Sequence, residues 1–375
     1  MELSTAGCIR QSVKIIKHNQ AQTGAYLASP AFVHYRYAWL RDGTFVAYAM
    51  DRVGEHDSAR RFYEWCSGVL LKHEQKARRA IAAVRSGEVS TDWDGLFLHT
   101  RYTVDGEEVE GEWGNFQLDG YGTWLWGLAE HIRMTGDVEL IDRFRSAIEL
   151  TLEYLQACWQ LPNYDCWEEF GDRIHPATLA AIYGGCKSIA RWLPERKGQL
   201  SVLCGLIETF VRENGTENGR FVKSLGNPAV DASLLWLSLP FGLAALDEPT
   251  MEETVRQMEQ EIVRGRGVHR YPEDVYYGGG QWILLSAWLG WYYAQTGRTD
   301  EAGDILCWIE SKWTEEGLPE QVQDHLLAPK AYGEWVERAG QPALPLLWSH
   351  AMYLVLAAEL GLVDSIEKEN GAPQR

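Results

Sequence analysis

Positive charge is what this chain has least of. Lysine and arginine number 35 against 53 aspartates and glutamates, a formal net charge of −18 over 375 residues. Nucleic acids and anionic membrane surfaces are bound through Lys and Arg, so this balance argues against both and favours a neutral ligand. Paired cysteines are missing too. The seven, at 8, 66, 158, 166, 186, 204 and 307, form no CxxC pair and no Cys/His cluster at zinc spacing. An odd, dispersed set points to reduced core thiols in a cytoplasmic protein. The opening Met1–Gly7 has no basic region leading into an apolar run, which excludes a signal peptide there. No apolar stretch reads as a membrane span: the best window, 344–363, carries Pro345, His350 and Glu359 and fits a buried helix. Without a Pro/Ser-rich linker, low-complexity tract or composition step, residues 1–366 are expected to form a single domain and 367–375 a disordered tail.

Apolar residues make up 46% of the chain, enough for a sizeable core. The 17 Trp and 17 Tyr mostly fill that core, although aromatic faces also suit the apolar C–H patches of a pyranose. Period, caps and Gly/Pro punctuation predict helices at about 4–18, 42–53, 56–72, 119–135, 138–158, 176–192, 194–214, 232–246, 250–264, 281–296, 299–315 and 344–361. They follow in pairs about 45–55 residues long. Segments apolar nearly all round, such as 121–129, 282–293 and 344–358, alternate with amphipathic ones such as 252–264 and 301–312. A helix apolar on every side is buried on every side, so the alternation implies two concentric layers. The fold class is therefore all-α, a six-hairpin (α/α)6 barrel of about twelve helices, with an open solenoid as the competitor. Residues 88–115 are a polar, Gly-rich excursion containing Asp92 and a short hairpin near 97–106, and long ordered loops of this kind are often functional.

Five polar-aromatic clusters fall at helix entrances. They are Tyr35…Trp39-Leu40-Arg41-Asp42, Glu112-Trp113-Gly114-Asn115-Phe116-Gln117, Trp167-Glu168-Glu169, Arg270-Tyr271-Pro272-Glu273-Asp274-Val275-Tyr276-Tyr277 with Trp282, and Leu318-Pro319-Glu320-Gln321. Each alone reads as a helix cap or a solvated acidic loop. In a barrel, the loops leading into inner helices converge on one mouth, where such clusters can meet. Aspartate-rich metal motifs such as DDxxD are absent, which removes an isoprenoid cyclase, another user of this architecture.

In this order the clusters resemble the signatures of glycoside hydrolase family 15, the glucoamylase family. The resemblance spans residues 35–321 and, with flanking helices, nearly the whole chain. It implies a six-hairpin barrel that releases glucose from non-reducing ends with inversion, needing no metal or organic cofactor. It also implies roles: Glu168 as general acid, Glu320 as general base, and Arg41 and Asp42 gripping the terminal glucose. Trp39 and Trp113 would wall that subsite, and Glu169 and Arg270 would reach the first or second sugar. Tyr35 would lie beside the base; Tyr276 and Trp282 complete the substrate-binding set. An inverting pair lies ~6.5–9.5 Å apart to admit water. Glu168 is expected to be kept protonated by Glu169 and Trp167, and Glu320 to stay ionised. The barrel is expected to start almost at Met1 and end near residue 363 with no β-sandwich or starch-binding module beside it, which favours short soluble α-linked gluco-oligosaccharides of isomaltose or maltose type. Trehalose-type α,α-linkages, or a non-catalytic helical-repeat carbohydrate-binding protein, are the alternatives.

Overall fold

The computed structural model describes residues 3–89 and 93–363. The tail expected at 367–375 and Asp92 of the excursion lie outside the described residues.

The chain passes back and forth between two layers. Helix α1 (Thr5–His18) is outer, α2 (Leu40–Arg52) inner and α3 (His56–Lys72) outer. Helices α4 (Glu74–Ser86) and α5 (Trp93–Leu96) extend the outer side. Next come inner α6 (Asp119–Thr135), outer α7 (Glu139–Arg143) and α8 (Arg145–Cys158), inner α9 (Pro176–Ile189) and outer α10 (Lys197–Asn214). A buried 3-10 turn, Ala232–Leu237, takes the fourth inner place, followed by outer α11 (Pro249–Glu261). Inner α12 (Ile283–Gln295), outer α13 (Thr299–Glu310), α14 (Pro329–Ala339) over the mouth, and inner α15 (Leu347–Glu359) complete the set. Each inner element packs on the next, and α15 returns to α2. That closure rules out the open solenoid.

Three local expectations need correction. No long helix spans 232–246: the 3-10 turn ends at Leu237 because Pro240 has no N–H to donate and Gly242 turns to φ 62. The helix expected at 138–158 divides at Phe144 into α7 and α8. Helix α14 was not foreseen, although Pro329 at its first position is a start signal.

The barrel has no bore. Phe45 of α2 stacks on Trp348 of α15, with ring centroids 5.6 Å apart and an 11° tilt. It also meets Trp288 of α12 edge-on at 4.7 Å, and Trp126 of α6 and Trp236 of the 3-10 turn at 5.7 and 5.8 Å. Five of the six inner elements thus send rings to the axis and fill it.

Inner helices α6 and α9 cross at backbone contact. A Cβ on Gly122 would lie 2.4 Å from the Ala181 carbonyl oxygen, and one on Gly185 2.2 Å from that of Gly122.

Short strands organise the mouth. Strand β1 (Ala38–Trp39) pairs with β2 (Arg101–Tyr102), and β3 (Thr216–Glu217) with β4 (Arg220–Phe221). Strands β5 (Val263–Arg264), β6 (Gly267–Val268), β7 (Gln281–Trp282) and β8 (Gln321–Val322) form an antiparallel sheet. Its register sets Trp282 opposite Gln321, which brings Glu320 beside the entrance to α12.

Overpacking at the α6–α9 crossing should cost Gly122→Ala and Gly185→Ala on the order of 1–3 kcal/mol each. Gly205→Ala, on the open face of α10 where a Cβ meets nothing within 4 Å, should gain up to about 1 kcal/mol. Urea unfolding midpoints check both, and a Gly122→Ala variant as stable as the parent would refute the close crossing.

Candidate active site

A cavity of about 520 Å³ opens at the end of the barrel where the inner elements begin. All eleven residues singled out in the sequence line it: Tyr35, Trp39, Arg41, Asp42, Trp113, Glu168, Glu169, Arg270, Tyr276, Trp282 and Glu320. Trp348, the uppermost ring of the axial plug, also borders it.

Glu168 sits at the tip of a tight turn. Its backbone is left-handed, with φ 67, and Phe170 follows at φ 53, a conformation that costs non-glycine residues of order 1–3 kcal/mol. Asp165 holds the turn: its Oδ1 accepts from the amides of Trp167 at 3.0 Å and Glu169 at 2.9 Å, and its carbonyl accepts from the Glu168 amide at 2.9 Å. Gly114 lets the neighbouring loop approach, since a Cβ there would stand 3.0 Å from the Glu168 carbonyl oxygen. Trp39 Nε1 donates to Glu168 Oε1 at 2.6 Å, Gln117 Nε2 donates to the same oxygen at 3.2 Å, and Arg41 Nη2 stands 3.8 Å from it. Burial lifts the Glu168 carboxyl above its ordinary value, opposed by Arg41, Trp39, Gln117 and Arg101. Glu169, the expected cause, is not what raises it. That carboxylate turns away to accept from Tyr271 Oη at 2.6 Å and Arg270 Nη2 at 3.3 Å.

Glu320 contrasts with it. The residue is 1% exposed, makes no ion pair among the described residues, and has a buried Oε2 without a hydrogen-bond partner. Burial pushes its carboxyl up to about 7, offset in part by a hydrogen bond from Tyr35 and the positive charge of Arg270. The expectation of a readily ionised Glu320 is thus corrected: desolvation outweighs the donors around it. Tyr35 and Tyr276 share a hydroxyl–hydroxyl hydrogen bond of 2.8 Å beside it.

Arg41, at the start of α2, is the hub of the floor. Its Nη1 donates to Gln117 Oε1 at 2.7 Å and Asp119 Oδ2 at 3.0 Å, while Nε stands 3.3 Å from Asp42 Oδ2. That Nε and that Oδ2 are buried without hydrogen-bond partners, leaving a donor and an acceptor side by side at the cavity. Burial pushes the Asp42 carboxyl up to about 6 against the pull of Arg41. Trp39 and Trp113 form one wall with centroids 6.4 Å apart, and the Arg101 guanidinium lies 3.7 Å from the Trp113 ring centre. Arg101 belongs to β2, so the long excursion reaches the site through this contact.

Several participants escaped the sequence reading. Trp335 and Arg338 of α14 line the outer cavity, with Tyr276 meeting Trp335 at 4.7 Å. Asp274 fixes Arg270 through bonds of 2.8 and 2.5 Å, and Asp119 does the same for Arg41. Asp274 lay inside a quoted cluster and Asp119 two residues beyond another, so their position was a usable signal. Lys223 and Asp231 lay in none.

The sequence profile of Glycosyl hydrolases family 15 matches residues 8–358. An isomaltose glucohydrolase of Kribbella flavida is 43% identical over 367 residues, covering 96% of this chain and 94% of that protein. Trehalase 1 of Sulfolobus acidocaldarius is 23% identical over 279 residues, 72% of this chain and 48% of that one. Among solved structures, a wild-type glycosidase aligns with a TM-score of 0.91 at 42% identity over 96% of this chain and 97% of its own. Profile, relative and structure agree over almost the full length, and the chain belongs to glycoside hydrolase family 15.

Proposed function

We propose that this chain is an inverting, exo-acting α-glucoside hydrolase that releases β-glucose from the non-reducing end of short α-linked gluco-oligosaccharides, isomaltose first among them. The observation that carries this reading is the pair of carboxyls, partly buried Glu168 and fully buried Glu320, lining one closed-bottomed cavity. Identity of 43% to an isomaltose glucohydrolase along nearly both full lengths supports the substrate.

Hydrolysis breaks the bond between the anomeric carbon and the glycosidic oxygen. Trp39 and Gln117 occupy Oε1 of Glu168, which assigns Oε2 to carry the proton that goes to the leaving oxygen. On the opposite ring face, the unpartnered Oε2 of Glu320 takes a proton from water as that water's oxygen bonds to the anomeric carbon. Positive charge develops on the sugar in the transition state, and nearby carboxylates stabilise it. The Arg41 Nε and Asp42 Oδ2 pair supplies one donor and one acceptor for adjacent hydroxyls of the terminal glucose. Trp39 and Trp113 pack against that ring, and Glu169 and Arg270 meet the second sugar. Trp335 and Arg338 narrow the cavity beyond the scissile bond, which favours disaccharide-sized substrates. Seven free thiols fit a cytoplasmic setting, and no helix among the described residues is long and apolar enough to cross a membrane.

Glucose release from maltose, isomaltose, nigerose, kojibiose, trehalose and soluble starch tests the substrate; isomaltose should lead, and trehalose in first place would shift the reading to a trehalase. Proton NMR on isomaltotriose, whose leaving fragment is a disaccharide, should show the released glucose first as the β-anomer, and initial α-glucose there would overturn inversion. Glu168→Gln and Glu320→Gln should each lower kcat by about 10²–10⁴-fold while thermal unfolding stays near the parent's. Glu320 must titrate for the reaction to proceed, so with its carboxyl pushed up to about 7 one limb of the kcat/KM profile should fall near that pH. Tyr35→Phe removes a hydrogen bond that favours the carboxylate and should move this limb to higher pH. A limb unmoved by that change would detach Tyr35 from the base.

A further inference from the structure

Outside the cavity, a lysine is buried where no sugar reaches. Lys223 is 3% exposed and sits just after β4. Its ammonium hydrogen-bonds Asp231 Oδ2 and stands 3.6 Å from Asp165 Oδ2. No other ion pair reaches either aspartate among the described residues. Both aspartates are buried, and both act on the turn that carries Glu168. Asp165 accepts from the amides on either side of Glu168. Asp231, which caps the 3-10 turn, accepts from Trp167 Nε1 at 3.0 Å and from Ser233 at 2.8 Å (N) and 2.6 Å (Oγ). The lysine also lies 3.6 Å from the centre of the Tyr271 ring, whose hydroxyl holds Glu169, and 5.2 Å from that of Phe170. The other titratable side chains facing this group are Arg270, which repels the ammonium, and His175 beside Asp165.

We propose that Lys223 is a positioning residue for proton donation: clamped between Asp165 and Asp231, it holds the strained 165–169 turn that aims Glu168 into the cavity. The proposal rests on the reading of Glu168 as the proton donor. Two buried carboxylates without a cation repel each other and cost several kcal/mol to desolvate. Left-handed residues such as Glu168 and Phe170 persist only when their surroundings over-determine them. Here the over-determination converges on one ammonium. Lys223 does not line the cavity, so it acts on the aim of the acid and not on sugar binding.

The test compares Lys223→Met with the parent on isomaltose and on α-glucosyl fluoride, whose fluoride leaves without a donated proton. On isomaltose kcat should fall about 10²-fold, the cost of a small misplacement of a catalytic group, with KM nearly unchanged. On α-glucosyl fluoride the loss should be under about threefold, because nothing there depends on the acid. Equal losses on the two substrates, or none on either, would overturn the proposal. Glu168→Gln is the control: if it does not spare α-glucosyl fluoride, the donor assignment itself has failed. If it does and Lys223→Met does not, only the positioning role has failed. Should Lys223→Met not fold, Lys223→Met combined with Asp231→Asn removes the charge pair together and keeps Oδ1 for Trp167 and Ser233. The same split between substrates is expected, since Asp165 still lacks its cation, and parental rates on isomaltose would refute the clamp.

Discussion

Charge compensation below water level is the constraint on which the mouth of this barrel depends. Asp119, Asp165, Asp231, Asp274 and Glu320 are all buried, and an unpaired carboxylate in such a place costs several kcal/mol. Three cations from three different parts of the chain share the load. Arg41 serves Asp119 and Asp42, Lys223 serves Asp165 and Asp231, and Arg270 serves Asp274 and Glu169. Each cluster is thereby fixed in place by its own ion pair. Glu320 alone among these buried acids has no cation in contact, and burial pushes its carboxyl up to about 7.

The two carboxyls proposed for catalysis therefore differ in kind. Glu168 is surrounded by donors and held by a strained backbone, so its direction is fixed while its free energy of ionisation is a balance of opposing effects. Glu320 is held through its main chain, with its amide on the Ala343 carbonyl at 2.9 Å and its own carbonyl accepting from Ile283 at 3.2 Å. Its carboxyl has a free oxygen. One is suited to hold a proton at a defined point, the other to receive one from a solvent molecule. The short sheet from β5 to β8 brings the second group to the first, because the pairing of Trp282 with Gln321 joins two loops 39 residues apart in sequence.

Much of this was legible beforehand, for identifiable reasons. The inner helices announced themselves because burial on every side demands apolar residues on every side, and that pattern survives without knowledge of partners. The eleven residues that line the cavity could be picked out because aromatic and charged side chains cluster at helix entrances in a recognisable order. What failed was local or long-range. At 232–246 the composition is that of an inner helix, but Pro240 and Gly242 impose their own backbone and leave a 3-10 turn. The cause of the rise at Glu168 was misjudged because adjacency in sequence suggested that Glu169 faces Glu168, whereas Glu169 turns to Tyr271 and Arg270. Lys223 and Asp231 gave no signal, since a buried ion pair is visible only once the chain has folded around it.

The aromatic plug has a kinetic meaning. Phe45 and the tryptophans around it seal the inner end of the barrel, with Trp348 at the bottom of the cavity. A ligand in a blind well can leave only by the route it entered. On the proposed reading the terminal glucose goes in first and lies deepest, so after cleavage the outer fragment must depart before glucose can follow. Release is then ordered, and free glucose, by returning to the deepest position in the empty well, competes with substrate, whereas the outer fragment meets the form that still holds glucose. A plug that looks like ordinary core packing thus sets the sequence in which products come out.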